Sequence, residues 1–155
     1  MNTPHSTADA VVLERAFDAP IDEVWQMWTD PAAFAGWYGP TGARVPVCEM
    51  DLRVGGRRRV CMSFDTPAGP REMWFTGEFL EITEPTRLVY TEAMTDADGT
   101  PSPDGHPPTE VHVELSEVGG RTQMVLTHRG IPAGSPGEAG WCAALDELDR
   151  RLAAR

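Results

Sequence analysis

His128 follows Met124 and Leu126 at every second position, so on a strand the three side chains share one face. An imidazole set in an apolar wall can act as a general base or orient a ligand carbonyl, although such a histidine more commonly serves packing. Glu78 and Glu92 supply acids in neighbouring strand-like runs, and Tyr90 supplies a hydroxyl donor. These residue types suit proton transfer at an enolisable ketone, with water excluded by aromatic walls. No spacing singles them out. The Gly-x-Ser-x-Gly motif, the paired-histidine metalloprotease helix and the phosphate-loop signature are all missing from the sequence.

The other candidate groups carry less chemistry. His112 alternates with Val111 and Val113 and is flanked by Glu110 and Glu114, which reads as a solvated strand face rather than a metal site. His5 and His106 fall in segments expected to be mobile, which do not suit a fixed base or ligand. Cys48, Cys61 and Cys142 are far apart and odd in number, and are expected to be buried free thiols outside any disulfide framework or metal cluster. All 13 basic residues are arginine and none is lysine, which excludes Schiff-base chemistry. No metal and no cofactor are expected.

The stretch DLRVGGRRRVCM, residues 51–62, sets two glycines before a run of three arginines, with a fourth at Arg53. A phosphate cradle needs a strand, a glycine turn and then a helix whose first amides complete the site. Here Arg57, Arg59, Cys61 and Ser63 instead alternate with Arg58, Val60, Met62 and Phe64, which is a strand pattern. The expectation is a hairpin of two strands meeting at Gly55-Gly56, with glycine supplying the positive φ of a tight turn. By parity Arg57 and Arg59 face away from Met62 and Phe64, toward acids such as Asp51 or Glu72. Arg58 leans to the apolar side, with a claim on a pocket mouth where it meets a ligand carboxylate or phenolate.

The elements that must position these groups are legible from periodicity. VVLERAF, residues 11–17, alternates as a half-buried strand. Residues 19–30 and 31–39 then read as two short helices, the first with Asp22 and Glu23 in its first turn, the second capped by Asp30 with Pro31 at its first position. Six more strands are expected near 44–52, 57–65, 71–82, 86–94, 109–117 and 121–129, joined by connections short enough for antiparallel hairpins. The exception is the stretch 95–109, either a mobile lid or a decoration, and its composition favours decoration. From Ser135 onward, Trp141, Leu145, Leu148 and Leu152 mark one apolar face of a long terminal helix.

This order predicts an α+β helix-grip fold, in which a seven-stranded curved antiparallel sheet wraps around the C-terminal helix, with two short helices between strands 1 and 2. A concave sheet and a helix do not meet everywhere, so a cavity is expected between them. Met62 and Phe64 from one strand, Trp74 and Phe79 from the next, then Met94 and Met124, are candidates for its wall, with Trp37, Trp141 and Leu145 from the helical segments and Arg58 and His128 as polar members. Core packing alone also accounts for the large apolar ones, since burying each contributes about 1.5–3 kcal/mol.

The bulk numbers narrow the class further. The 155 residues suit a flexible segment over 1–9 and one domain over 10–155. Acids outnumber bases by 24 to 13, and the formal charge of −11 repels nucleic acid and anionic membrane surfaces. The N-terminus has neither a basic n-region nor a long apolar run, so a soluble cytoplasmic protein is expected. Arginine without lysine, together with abundant Ala, Gly and Pro, suggests a GC-rich bacterial genome.

Taken in order, RAFDAPIDEVWQMWTDPAAFAGWYGP, CEMDLRVGGRRRVCM, FTGEFLEITEPTRLVYTEAM and GWCAALDELDRRLA resemble the family of homologues of the activator of the 90-kDa heat-shock protein ATPase. That family lies within the START-like, polyketide-cyclase and birch-pollen-allergen superfamily. The resemblance implies a helix-grip fold with an internal cavity for small, largely apolar molecules, and no universal catalytic set. It places Trp37-Tyr38 near the cavity mouth, Gly140-Trp141 where the last helix packs on the sheet, and Asp51, Arg53, Gly55 and Gly56 in a hairpin. The expected function is binding of a hydrophobic or aromatic ligand, with a cyclase or aromatase and a chaperone-interacting domain as alternatives. A monomer or homodimer is expected.

Overall fold

The computed structural model describes residues 9–102 and 107–154. His5, His106 and nearly all of the expected flexible N-terminal segment lie outside them. The elements in chain order are β1 (Ala10–Phe17), α1 (Ile21–Thr29), α2 (Pro31–Ala35), β2 (Arg44–Met50), β3 (Arg57–Thr66), β4 (Gly69–Thr83), β5 (Arg87–Thr95), β6 (Thr109–Val118), β7 (Arg121–Arg129) and α3 (Pro136–Ala153). The seven strands form one curved antiparallel sheet in the order β1-β7-β6-β5-β4-β3-β2. β1 and β2 therefore occupy opposite edges, and the chain between them must cross the whole sheet. Helices α1 and α2 make that crossing, and close one end of the space beneath α3.

Local chemistry explains each boundary. The Asp30 carboxylate accepts from the Ala32 backbone N–H at 3.3 Å, and Pro31 opens α2, as a cap followed by proline should. At α3 the Ser135 hydroxyl makes no capping bond; Glu138 instead reaches back to accept from the Gly134 N–H at 2.7 Å. Trp141, Leu145, Leu148 and Leu152 are all buried, as their spacing predicts. No helix among the described residues is long and apolar enough to cross a membrane.

Two connections differ from expectation. Residues 51–56 all belong to the β2–β3 connection, so Gly55-Gly56 is not a two-residue turn. The loop is tied sideways to β4, with Gly55 N–H donating to the Phe79 carbonyl at 2.8 Å and Phe79 N–H to the Gly56 carbonyl at 3.0 Å. Gly55 supplies the positive φ, +83°, while a Cβ on Gly56 would overlap the Asp51 carbonyl oxygen. The described part of the 95–109 stretch is also tied down. Asp96 N–H donates to Thr100 O at 2.9 Å, Ser102 N–H to Met94 O at 3.1 Å, and Arg59 Nη2 to Ala97 O at 2.6 Å. This half is an ordered turn against β5 and β3, which composition did not reveal.

Candidate ligand-binding pocket

The space between sheet and α3 is filled at one end and open at the other. At the open end lies a pocket of about 530 Å³, with Tyr38, Met62, Met73, Phe75, Met94 and Trp141 as its large walls and Glu92, Thr109 and His128 as its polar members. Each wall has a positional cause. Met62 from β3, Met73 and Phe75 from β4, Glu92 and Met94 from β5, and His128 from β7 alternate onto the concave face. Trp141 and Ala144 come down from α3, with Pro107 and Thr109 at the start of β6.

His128 faces this pocket, but both ring nitrogens are engaged. The Trp141 indole N–H, which can only donate, reaches His128 Nδ1 at 2.9 Å, so Nδ1 is the acceptor and Nε2 carries the proton. Nε2 stands 2.8 Å from Thr109 Oγ1, and that hydroxyl donates its own hydrogen bond to the Glu92 backbone carbonyl at 3.0 Å. The chain Trp141–His128–Thr109–Glu92 thus ties α3, β7, β6 and β5 together. Burial pushes the His128 pKa down and the nearby Glu92 charge opposes that only in part, which fits a neutral imidazole.

Behind the pocket wall sits a buried charge. Arg58 and Glu92 are 2% and 6% exposed, and Arg58 Nη1 lies 3.4 Å from Glu92 Oε2. The guanidinium packs over the Tyr90 ring at 3.9 Å and the Phe34 ring at 4.8 Å. Burial works against its charge, and the negative groups around it outweigh that, holding its pKa above the ordinary arginine value; the Glu92 carboxylate is the one charged at ordinary pH, Tyr90 and Tyr38 adding to it only once ionised. Burial pushes the Tyr90 and Tyr38 hydroxyls well up, so both remain protonated.

Of the residues singled out from the sequence, Tyr38, Met62, Glu92, Met94, His128, Gly140 and Trp141 line the pocket, and the structure places the others elsewhere. Arg58 is not at the mouth; it lies sealed behind Glu92 under two rings. Trp37, Phe79, Met124 and Leu145 belong to the packed core, Trp37 donating its indole N–H to the Met27 carbonyl at 2.9 Å. Phe64 shares the Met62 face but lies near the β3–β4 turn, half-buried and outside the pocket wall. Trp74 takes the opposite parity to Met73 and Phe75, and lies under the Arg59 guanidinium at 4.5 Å.

Glu78 is exposed, and Tyr90 is buried outside the pocket. His112 bonds Glu110 at 2.9 Å, an ordinary pairing on the outer strand face. Arg59 meets Glu49 at 3.1 Å and Asp51 meets Arg53 at 2.8 Å, rather than the partners parity suggested. Cys61 is buried, whereas Cys48 and Cys142 are half-buried; all three are free thiols, with Cys48 pushed up to about 11 by burial.

Met73, Phe75 and Thr109 escaped the sequence reading. Counting back by twos from Phe79 through Gly77 finds Phe75 and Met73, because all four share one face of β4. Thr109 has no such signal, since its role depends on which strand end meets His128.

Comparison with known proteins agrees with this architecture. The family described as Activator of Hsp90 ATPase homolog 1-like protein matches residues 18–153. No curated protein matches the chain. Among solved structures, protein CV1439 from Chromobacterium violaceum is 28% identical with a TM-score of 0.76, over 93% of this chain and 96% of that one. A protein from Arthrobacter aurescens is 24% identical with a TM-score of 0.81, over 97% and 89% of the two chains. The AHSA1 protein from Silicibacter pomeroyi is 23% identical with a TM-score of 0.73, over 94% and 98%.

Proposed function

The chain belongs to the Activator of Hsp90 ATPase homolog 1-like protein family, and we propose that it is a START-like small-molecule-binding protein that holds a hydrophobic or aromatic ligand between sheet and α3 without transforming it. The observation that carries this reading is the pocket itself, about 530 Å³ and lined mainly by apolar side chains with a few convergent polar groups. That size and lining are those of a small-molecule site.

The non-catalytic half of the proposal rests on the candidate acid and base groups. The only unprotonated nitrogen of His128 is occupied by the Trp141 N–H. Tyr90 is buried away from the pocket, and Glu78 is on the outside. None of these three is placed to move a proton on a bound molecule, and the acid that does reach the pocket, Glu92, is paired with the buried Arg58.

Native mass spectrometry tests both halves, using polycyclic aromatics, fatty acids and polyketide-like phenols together with thermal unfolding. The expected result is a one-to-one complex with a raised Tm and release of the unchanged molecule on denaturation. No complex across the panel would remove the binding proposal, and recovery of a converted product would remove its non-catalytic half.

A further inference from the structure

Among the described residues lining the pocket, Glu92 is the only one with a formally charged side chain apart from the neutral His128. A carboxylate accepts at about four lone-pair positions. Arg58 approaches Oε2 at 3.4 Å from behind, and Oε1 stands 4.0 Å from His128 Nε2, which already serves Thr109. The Tyr38 hydroxyl interacts with the same carboxylate as a donor, which still leaves acceptor capacity on the pocket side.

Charge balance decides what fills it. Arg58 already offsets the Glu92 charge, so a ligand cation would leave a surplus positive charge in apolar surroundings. A ligand anion would be set against the carboxylate. A neutral hydroxyl avoids both costs, because it can insert into the Tyr38–Glu92 bond, donating to Glu92 and accepting the proton that Tyr38 otherwise directs at the carboxylate. Resting on the ligand-binding reading above, we propose that the ligand is an apolar, aromatic-sized molecule ending in an uncharged hydroxyl, an alcohol or phenol, seated with that hydroxyl between Glu92 and Tyr38.

Calorimetric titration with a matched series tests this: biphenyl-4-ylmethanol, its methyl ether, biphenyl-4-ylmethylamine and biphenyl-4-carboxylate. The alcohol is expected to bind about tenfold or more tightly than the ether, the ratio for a hydrogen bond to a charged group, and more tightly than either charged probe. In Arg58→Met/Glu92→Leu, which removes both charges together, the ether is expected to bind still and the advantage of the alcohol to vanish. Tyr38→Phe, which deletes only the hydroxyl, is expected to shrink that advantage several-fold. Equal affinity for alcohol and ether in the wild type overturns the proposal while leaving the pocket a binding site, as does tightest binding of the amine or carboxylate. So does full alcohol preference in both variants. Failure of all four probes to bind removes the pocket reading along with it.

Discussion

The two ends of the space beneath α3 are built from the same kind of sequence and reach opposite outcomes. At the filled end, the Trp28 ring lies 4.8 Å from Trp37 and 6.0 Å from Phe34, and Leu145, Leu148 and Leu152 come down from the second half of α3. At the open end the strands still present Met62, Met73, Phe75 and Met94, but the first half of α3 answers them with Pro136, Gly137, Gly140 and Ala144. Trp141 stands at the boundary, 5.8 Å from Trp28 and 5.7 Å from Tyr38. The sheet does not distinguish core from pocket. The volume of the side chains on the covering helix does, and glycine within a helix carries a propensity cost of about 1 kcal/mol relative to alanine.

The contrast breaks most visibly at the filled end. Leu148→Ala is expected to lower unfolding stability by about 2–5 kcal/mol in denaturant titration, because the fully buried side chain leaves a void that close-packed neighbours cannot close. Ligand affinity, measured well below the unfolding transition, should change little. Trp141→Phe acts at the boundary. It leaves His128 Nδ1 buried without its donor, so a loss of about 1–3 kcal/mol is expected, with the His128 titration followed by NMR moving upward as the bond that favours the neutral ring is removed.

Acidification is the subtler probe. The folded-state pKa of His128 is depressed relative to the unfolded value near 6.5. The unfolded chain therefore takes up a proton first, and the contribution of this group to stability is full above about pH 6.5 and declines as pH falls toward the folded-state value. Denaturant midpoints measured downward from pH 7 should show this slope in the wild type and a smaller one in His128→Gln. An equal slope in both would assign the effect to other groups.

Much of this arrangement was legible in the sequence because it depends on local periodicity. Seven strands, both short helices and the apolar stripe of α3 follow from alternation, caps and spacing, and the pattern after Gly55-Gly56 shows a strand rather than a phosphate-binding helix. Parity also put Arg58 on the inner face. It could not say that Phe34 and Tyr90 would cover the guanidinium, because they arrive from α2 and β5, distant in sequence. The β2–β3 connection was misjudged for the same reason, since the hydrogen bonds that fix it go to Phe79 on β4. His128 was correctly aimed inward, but its neutral, fully engaged state depends on Trp141 and Thr109, and no spacing announces either bond.

The central claim is that the open end exists to hold a ligand, and Gly140 gives the cleanest access to it. A Cβ there meets nothing within 4 Å, so a large side chain can enter the pocket without displacing the helix. The decisive measurement is the thermal upshift given by saturating biphenyl-4-ylmethanol in the wild type and in Gly140→Phe. The account predicts an unliganded stability within about 1 kcal/mol of the wild type, since the lost helical glycine offsets imperfect packing, and no ligand-induced upshift in the variant. An upshift of the same size in Gly140→Phe would contradict it, because the ligand would then be bound somewhere other than beneath α3.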